Sequence, residues 1–193
     1  MSTKKDLPVI PFPSQERWEA WLSEQGMTSE GLWVKLGKKG SGIDSVSYAE
    51  AVEVALCYGW IDGQARGFDE DYYLQRFTPR RARSKWSKIN RGKAEKLIES
   101  GAMKASGMSE VERARADGRW DAAYDAPSTA TVPDDLRVEL EKNDRARSFF
   151  ESLDATNRYA ILHRIQDAKR PETRARRIEK FVAMLSREEK IYP

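Results

Sequence analysis

The stretch Gly59 to Arg91 constrains the fold more than any other part of the chain. Ile61 to Arg66 and Tyr72 to Thr78 read as two strands, and Gly67-Phe-Asp-Glu-Asp71 between them reads as a hairpin loop. In the second strand Tyr73, Gln75 and Phe77 point one way, and Tyr72, Leu74, Arg76 and Thr78 the other, which leaves one face open to a polar array. Thr78-Pro79 ends the run, because proline cannot donate to a ladder. The hairpin follows at once on a helix that opens with a capping box, Ser47-Tyr-Ala-Glu50, and runs to about Tyr58. Ala51, Val52, Val54, Ala55 and Leu56 make that helix apolar nearly all round, so it belongs in a core. Glu53 is its exception, either a rim position or a partly buried carboxylate facing arginines. Cys57 reads as an inert buried thiol.

Other elements are placed around this pair. Residues 1–13 read as an extended N-terminal segment stiffened by Pro8, Pro11 and Pro13. Ser14 caps a helix carrying Trp18, Trp21 and Leu22, which Gly26 closes. Gly31 to Gly37 reads as a short strand, followed by a glycine-rich basic loop that lacks phosphate-loop spacing. Ser84 or Ser87 is expected to cap a helix to Ser100, with Ile89, Leu97 and Ile98 inward. Ser109-Glu-Val-Glu112 is expected to open another helix, to about Asp117. The small-residue run 125–132 reads as a linker that ends an α+β domain over 14–124. Beyond it, 133–193 reads as a helical subdomain: a helix over 133–142, Asn143 as the next cap, one stripe of Ile161, Leu162, Ile165 and Ala168, and another of Ile178, Phe181, Val182 and Leu185. The fold class expected is therefore α+β: a small antiparallel sheet of about three strands packed by helices, followed by a helical C-terminal subdomain.

Charge is unevenly spread. Nine basic residues and one acid lie between Arg76 and Lys96, so that window carries +8 while the whole chain carries +3, leaving −5 elsewhere. A block of one sign on an otherwise acidic chain points to an anionic ligand or nucleic acid, or else to a solvated helix face paired with acids. A single cysteine and a single histidine, His163, exclude an intrachain disulfide and a Cys/His zinc site. His163 falls in a core-like helix stripe, which argues against a Ser-His-Asp triad. No dinucleotide or P-loop glycine pattern is present, and neither cofactor nor metal is expected. No apolar run approaches the ~20 residues of a membrane helix, and the proline-broken start lacks a targeting core, so no membrane insertion and a cytoplasmic location are expected.

Glu53-Val-Ala-Leu-Cys-Tyr-Gly-Trp-Ile-Asp62, Gln75-Arg-Phe-Thr-Pro-Arg-Arg81, Ser84-Lys-Trp-Ser87 and Asn90 together resemble the YdeI/OmpD-associated family, also called bacteriocin-protection proteins. Gly118-Arg-Trp-Asp121 with Tyr124, Pro133-Asp-Asp-Leu136, Arg158 and Ala168-Lys-Arg-Pro-Glu-Thr-Arg174 fit the same pattern, so the likeness runs over roughly residues 30 to 190. The resemblance implies a bacterial protein linked to envelope stress or antimicrobial-peptide protection. It carries over no reaction and no catalytic residue.

Three functional readings follow. The first is a non-catalytic protein with a basic, tryptophan-rich groove for nucleic acid, a nucleotide or an acidic ligand. Its candidate residues are Trp60, Asp62, Gln75, Arg76, Thr78, Arg80, Arg81, Arg83, Ser84, Trp86, Ser87, Asn90, Arg119 and Trp120. Arginine forks suit phosphates and carboxylates, indole faces stack on bases, and free N–H groups at the helix start near Ser84 to Ser87 would hold an anion. The second is a small-molecule enzyme with Asp62 or Glu53 as the acid/base (Asp121 being a further carboxylate) and Arg76 as an electrostatic clamp. The third is an interaction module without a small ligand.

Overall fold

The computed structural model describes residues 6–193. The described residues of Met1–Trp86, with Asn90–Ala122, form one compact unit, and Ser87–Ile89 with Ala123–Pro193 form a second.

The first unit is built on a four-stranded sheet. Strand β1 (Val9–Pro11) pairs in parallel with β2 (Leu32–Gly37), which pairs antiparallel with β4 (Tyr72–Pro79), and β4 pairs antiparallel with β3 (Trp60–Gly67). The class is α+β, but the sheet is mixed rather than antiparallel, and the start of the chain is not merely extended. Pro8 accepts from the Trp33 N–H at 2.8 Å, and Phe12, just past β1, is 5% exposed. Val9 and Ile10 favour a strand, but two residues between Pro8 and Pro11 are too short a run to read as one. Their pairing is written in β2, more than twenty residues away.

Helix α1 (Gln15–Gln25) and helix α2 (Tyr48–Cys57) bury the apolar residues of this unit. The Ser47–Glu50 capping box forms in both directions. The indole N–H of Trp18 donates to the Ala51 carbonyl (3.0 Å), and that of Trp60 to the Gly26 carbonyl (3.2 Å). Trp18, Trp21, Trp60 and Phe77 pack ring on ring, and Leu32, Val34 and Leu36 of β2 are fully buried. Such a cluster combines large apolar burial with edge-to-face attraction.

Helix α3 (Lys88–Glu99) begins later than Ser84, and Ile89 is 52% exposed rather than inward. Helix α4 (Ala105–Ala116) begins a full turn before the Ser109–Glu112 signature. Gly107 explains the difference. A Cβ there would stand 2.2 Å from the Cys57 carbonyl oxygen, so α4 runs against the end of α2 backbone to backbone. Lys104 N–H also donates to the Cys57 carbonyl (3.1 Å), and the two contacts set where the helix starts.

The second unit holds α5 (Asp134–Glu141), α6 (Asp144–Ser152), α7 (Ala155–Gln166) and α8 (Pro171–Ser186). Asn143 and Asp154 cap α6 and α7 through their side chains, and Pro171 opens α8. Leu136, Leu140, Phe150, Ile161, Ile165, Ile178, Phe181 and Leu185 form the core.

Candidate functional site

The three tryptophans expected to line a groove are all in the interior: Trp60, Trp86 and Trp120 are 1%, 2% and 5% exposed. Trp60 belongs to the core beneath the sheet. Trp86 has the Arg80 guanidinium 3.5 Å from its ring centre and packs edge to face with Trp120, their ring centres 4.9 Å apart, and Arg115 lies 5.1 Å from the Trp120 ring centre. A cation lies against each end of this ring pair, so it is a braced piece of structure. Arg80 is 6% exposed and donates to the Lys85 carbonyl (3.2 Å). Arg119 Nε donates to both oxygens of the Asp117 carboxylate at 2.8 Å, and its Nη1 donates to the Ser84 carbonyl at 2.7 Å. Arg91 donates to the Trp120 carbonyl and pairs with Glu95, each at 3.3 Å.

Ser84 closes its own turn. Its hydroxyl accepts from the Arg81 N–H and its N–H donates to the Arg81 carbonyl, both at 2.9 Å. It therefore does not cap α3, and Ser87 is the residue left at the start of that helix. Ser87 directly precedes α3 and bridges to Tyr124, and Asn90 is half-buried in the first turn of α3. Gln75, 5% exposed, donates to the carbonyls of Gly63 (2.9 Å) and Gln64 (3.5 Å), which holds the bulge where β3 shifts register between Asp62 and Ala65.

The carboxylates proposed as acid/base groups are engaged. Asp62 accepts from the Tyr48 hydroxyl (2.8 Å), and Glu53 pairs with Lys93 (2.9 Å). Asp62 lies opposite Phe77, on the face of the sheet that meets the helices. Arg76, one residue before Phe77, is on the other face. The clamp geometry of the enzyme reading is therefore absent.

That other face brings together Arg76 and Thr78 with residues the sequence did not single out. Trp33 is directly opposite Arg76, Lys35 and Arg66 flank Leu74 from either side, and Ile61 is opposite Thr78. The Arg66 guanidinium sits 4.3 Å from the Trp33 ring centre. Lys35 sits 3.9 Å from Tyr72 and 4.5 Å from Phe68, with its ammonium 3.6 Å from Asp69. Leu74 in the middle is sealed to 1% exposure, while Trp33, Lys35, Tyr72, Arg76 and Thr78 are half-buried and Arg66 is exposed. The Arg76 stem runs over the bulge, where a Cβ on Gly63 would stand 3.7 Å from it. Its Nε is buried without a hydrogen-bond partner, and among the described residues no carboxylate pairs with it. Arg81 and Arg83, just past β4, are exposed. Of the arginines counted as ligand groups, Arg80 and Arg119 brace the fold, while among the described residues the side chains of Arg76, Arg81 and Arg83 make no ion pair.

Trp33, Lys35, Arg66 and Tyr72 were legible only in part. The alternation in each strand puts them on one face, but the register that sets Trp33 beside Arg76 joins segments 43 residues apart. Among the described residues no group of three His, Cys, Asp or Glu side chains could hold a metal ion, and no helix is long and apolar enough to cross a membrane.

Comparison with known proteins divides the chain in two. Residues 129–188 match the family model described as bacteriocin-protection, YdeI or OmpD-associated, so the resemblance drawn from the sequence is matched in the helical region. The motifs between Glu53 and Arg91 lie instead under a model described as a domain of unknown function (DUF8412), which matches residues 10–110. No curated protein and no solved structure matches. With just over half of its residues under that second model, the chain belongs to the DUF8412 family and carries a YdeI/OmpD-associated segment after it.

Proposed function

We propose that the protein is a non-catalytic, cytoplasmic binding protein that takes single-stranded nucleic acid on the outer face of its sheet. The observation that carries this reading is Arg76, a half-buried arginine with a buried, unpartnered Nε and no carboxylate partner among the described residues, set beside Trp33 in a field of Arg66 and Lys35. An arginine held without a counter-charge keeps its attraction for phosphate. The face is open and strand-built, with aromatic rings between cations, which suits a flexible polyanion whose bases stack and whose phosphates pair. Arg81 and Arg83 extend the positive field past the end of β4. The family description of residues 129–188 supports a bacteriocin-protection-type role as the setting. The enzyme reading has no comparable support, since Asp62 and Arg76 face opposite sides of the sheet.

The test is fluorescence polarisation with labelled single-stranded DNA and RNA at several salt concentrations. Three phosphate contacts, from Lys35, Arg66 and Arg76, give a slope of log Kd on log salt of about 2, so a fourfold rise in salt weakens binding about 20-fold. No binding at low salt, or binding indifferent to salt, would refute the proposal.

A further inference from the structure

The second unit contains a pocket that the sheet-face reading does not use. It measures about 440 Å³, within the range of small-molecule sites. One side of α7 lines it: Thr156, Tyr159, Ala160, His163 and Arg164 fall at helical spacing along a single stripe. The opposite stripe of the same helix, Ile161, Leu162 and Ile165, packs in the core. His163 is thus half-buried at a pocket wall, and the core-like position expected from the sequence is wrong by one step around the helix.

The far wall is Tyr192, and its placement is built. Asn157, 3% exposed, accepts from the N–H groups of Ile191 (3.0 Å) and Tyr192 (2.9 Å) and donates to the Tyr192 carbonyl (3.2 Å). This buried amide clips the segment after α8 to α7 and sets the Tyr192 ring 5.6 Å from the Arg164 guanidinium. Among the described residues Arg164 donates only to neutral oxygens, the Ala160 carbonyl at 3.4 Å and the Tyr192 hydroxyl at 3.3 Å, and pairs with no carboxylate. Both bonds are long and exchangeable. Tyr159 is tied through its hydroxyl to the Asp125 carbonyl (2.8 Å), which fixes its ring near His163 at 5.6 Å.

We propose that this pocket binds a small aromatic carboxylate. The single guanidinium offers a planar fork that matches one carboxylate, and the lining holds no second arginine and no lysine to pair with a phosphate's second charge. The rings of Tyr159, His163 and Tyr192 supply faces and edges for an aromatic body, and Ala160 leaves room for it.

His163 is the chain's one histidine, so its imidazole Hε1 proton gives a single, assigned NMR signal in the untagged protein. Titration with benzoate should move that signal along a saturating curve. Benzamide, the neutral isostere, should bind at least about tenfold more weakly, as should benzoate with Arg164→Met. Ala160→Leu, which fills the pocket, should abolish the shift while leaving the far-UV CD spectrum unchanged. The proposal is overturned if benzoate gives no saturable shift, if benzamide matches it, or if a folded Arg164→Met protein keeps the affinity. The benzoate–benzamide comparison decides alone should that variant fail to fold.

Discussion

Replacing Arg80 by alanine should unfold the first unit far more easily, although the residue sits in the most basic stretch of the chain. Its guanidinium lies 3.5 Å from the Trp86 ring centre in a site 6% exposed. A desolvated cation–π contact of this kind contributes about 2 kcal/mol. The bond from its terminal nitrogen to the Lys85 carbonyl is charge-assisted and adds about 1.5–3 kcal/mol. Alanine also relieves the cost of holding a charge out of water, which removes part of that sum. The net loss is about 3 kcal/mol, a large share of the 5–15 kcal/mol that holds a domain together. With a urea slope of about 1.5 kcal/mol/M, the midpoint should fall by about 2 M. All six tryptophans, at 18, 21, 33, 60, 86 and 120, lie in the first unit, so indole fluorescence reports that unit without the second. Arg81→Ala, at an exposed position, should change stability by less than about 0.5 kcal/mol, a midpoint shift of less than about 0.3 M. An Arg80→Ala midpoint equal to that of Arg81→Ala would refute the claim that Arg80 braces Trp86. The same result decides how binding variants are chosen, since an Arg80 change would confound lost affinity with lost structure.

Two further outcomes follow from buried groups. Asn157→Ala removes four side-chain hydrogen bonds, to Asp154 and to residues 191 and 192, and should cost about 2 kcal/mol in the helical unit, with the loss visible in far-UV CD and not in indole fluorescence. Cys57 is 7% exposed and burial pushes its thiol up to about 11, so it should resist a thiol reagent at pH 8 in the native protein and react at once in urea. Rapid native reaction would mean that α2 opens locally.

Local signals were legible in the sequence, and long-range ones were not. The hairpin, its alternation and the Ser47–Glu50 box are written within a few residues, and each appears in the structure. Strand β1 was not readable, because its only support is a parallel partner more than twenty residues on. The Ser109–Glu112 signature pointed to a helix but not to its start, which the close approach of Gly107 to Cys57 fixes. The largest error concerned Arg80, Trp86, Arg119 and Trp120. Arginine beside tryptophan describes a ligand groove and an internal cation–π stack equally well, and burial alone separates them. Arg76 emerged from strand alternation, whereas its neighbour Trp33 came only with the register.

The sheet-face account stands most directly on Arg76. The deciding measurement is fluorescence polarisation of labelled single-stranded DNA against the natural chain, Arg76→Ala and Arg76→Lys at low salt, with indole fluorescence confirming that each is folded. The account predicts that alanine weakens binding at least about tenfold, roughly the loss of one charged contact, and that lysine, which keeps the charge on a long stem, restores much of it. A folded Arg76→Ala protein that binds as tightly as the natural chain would contradict it.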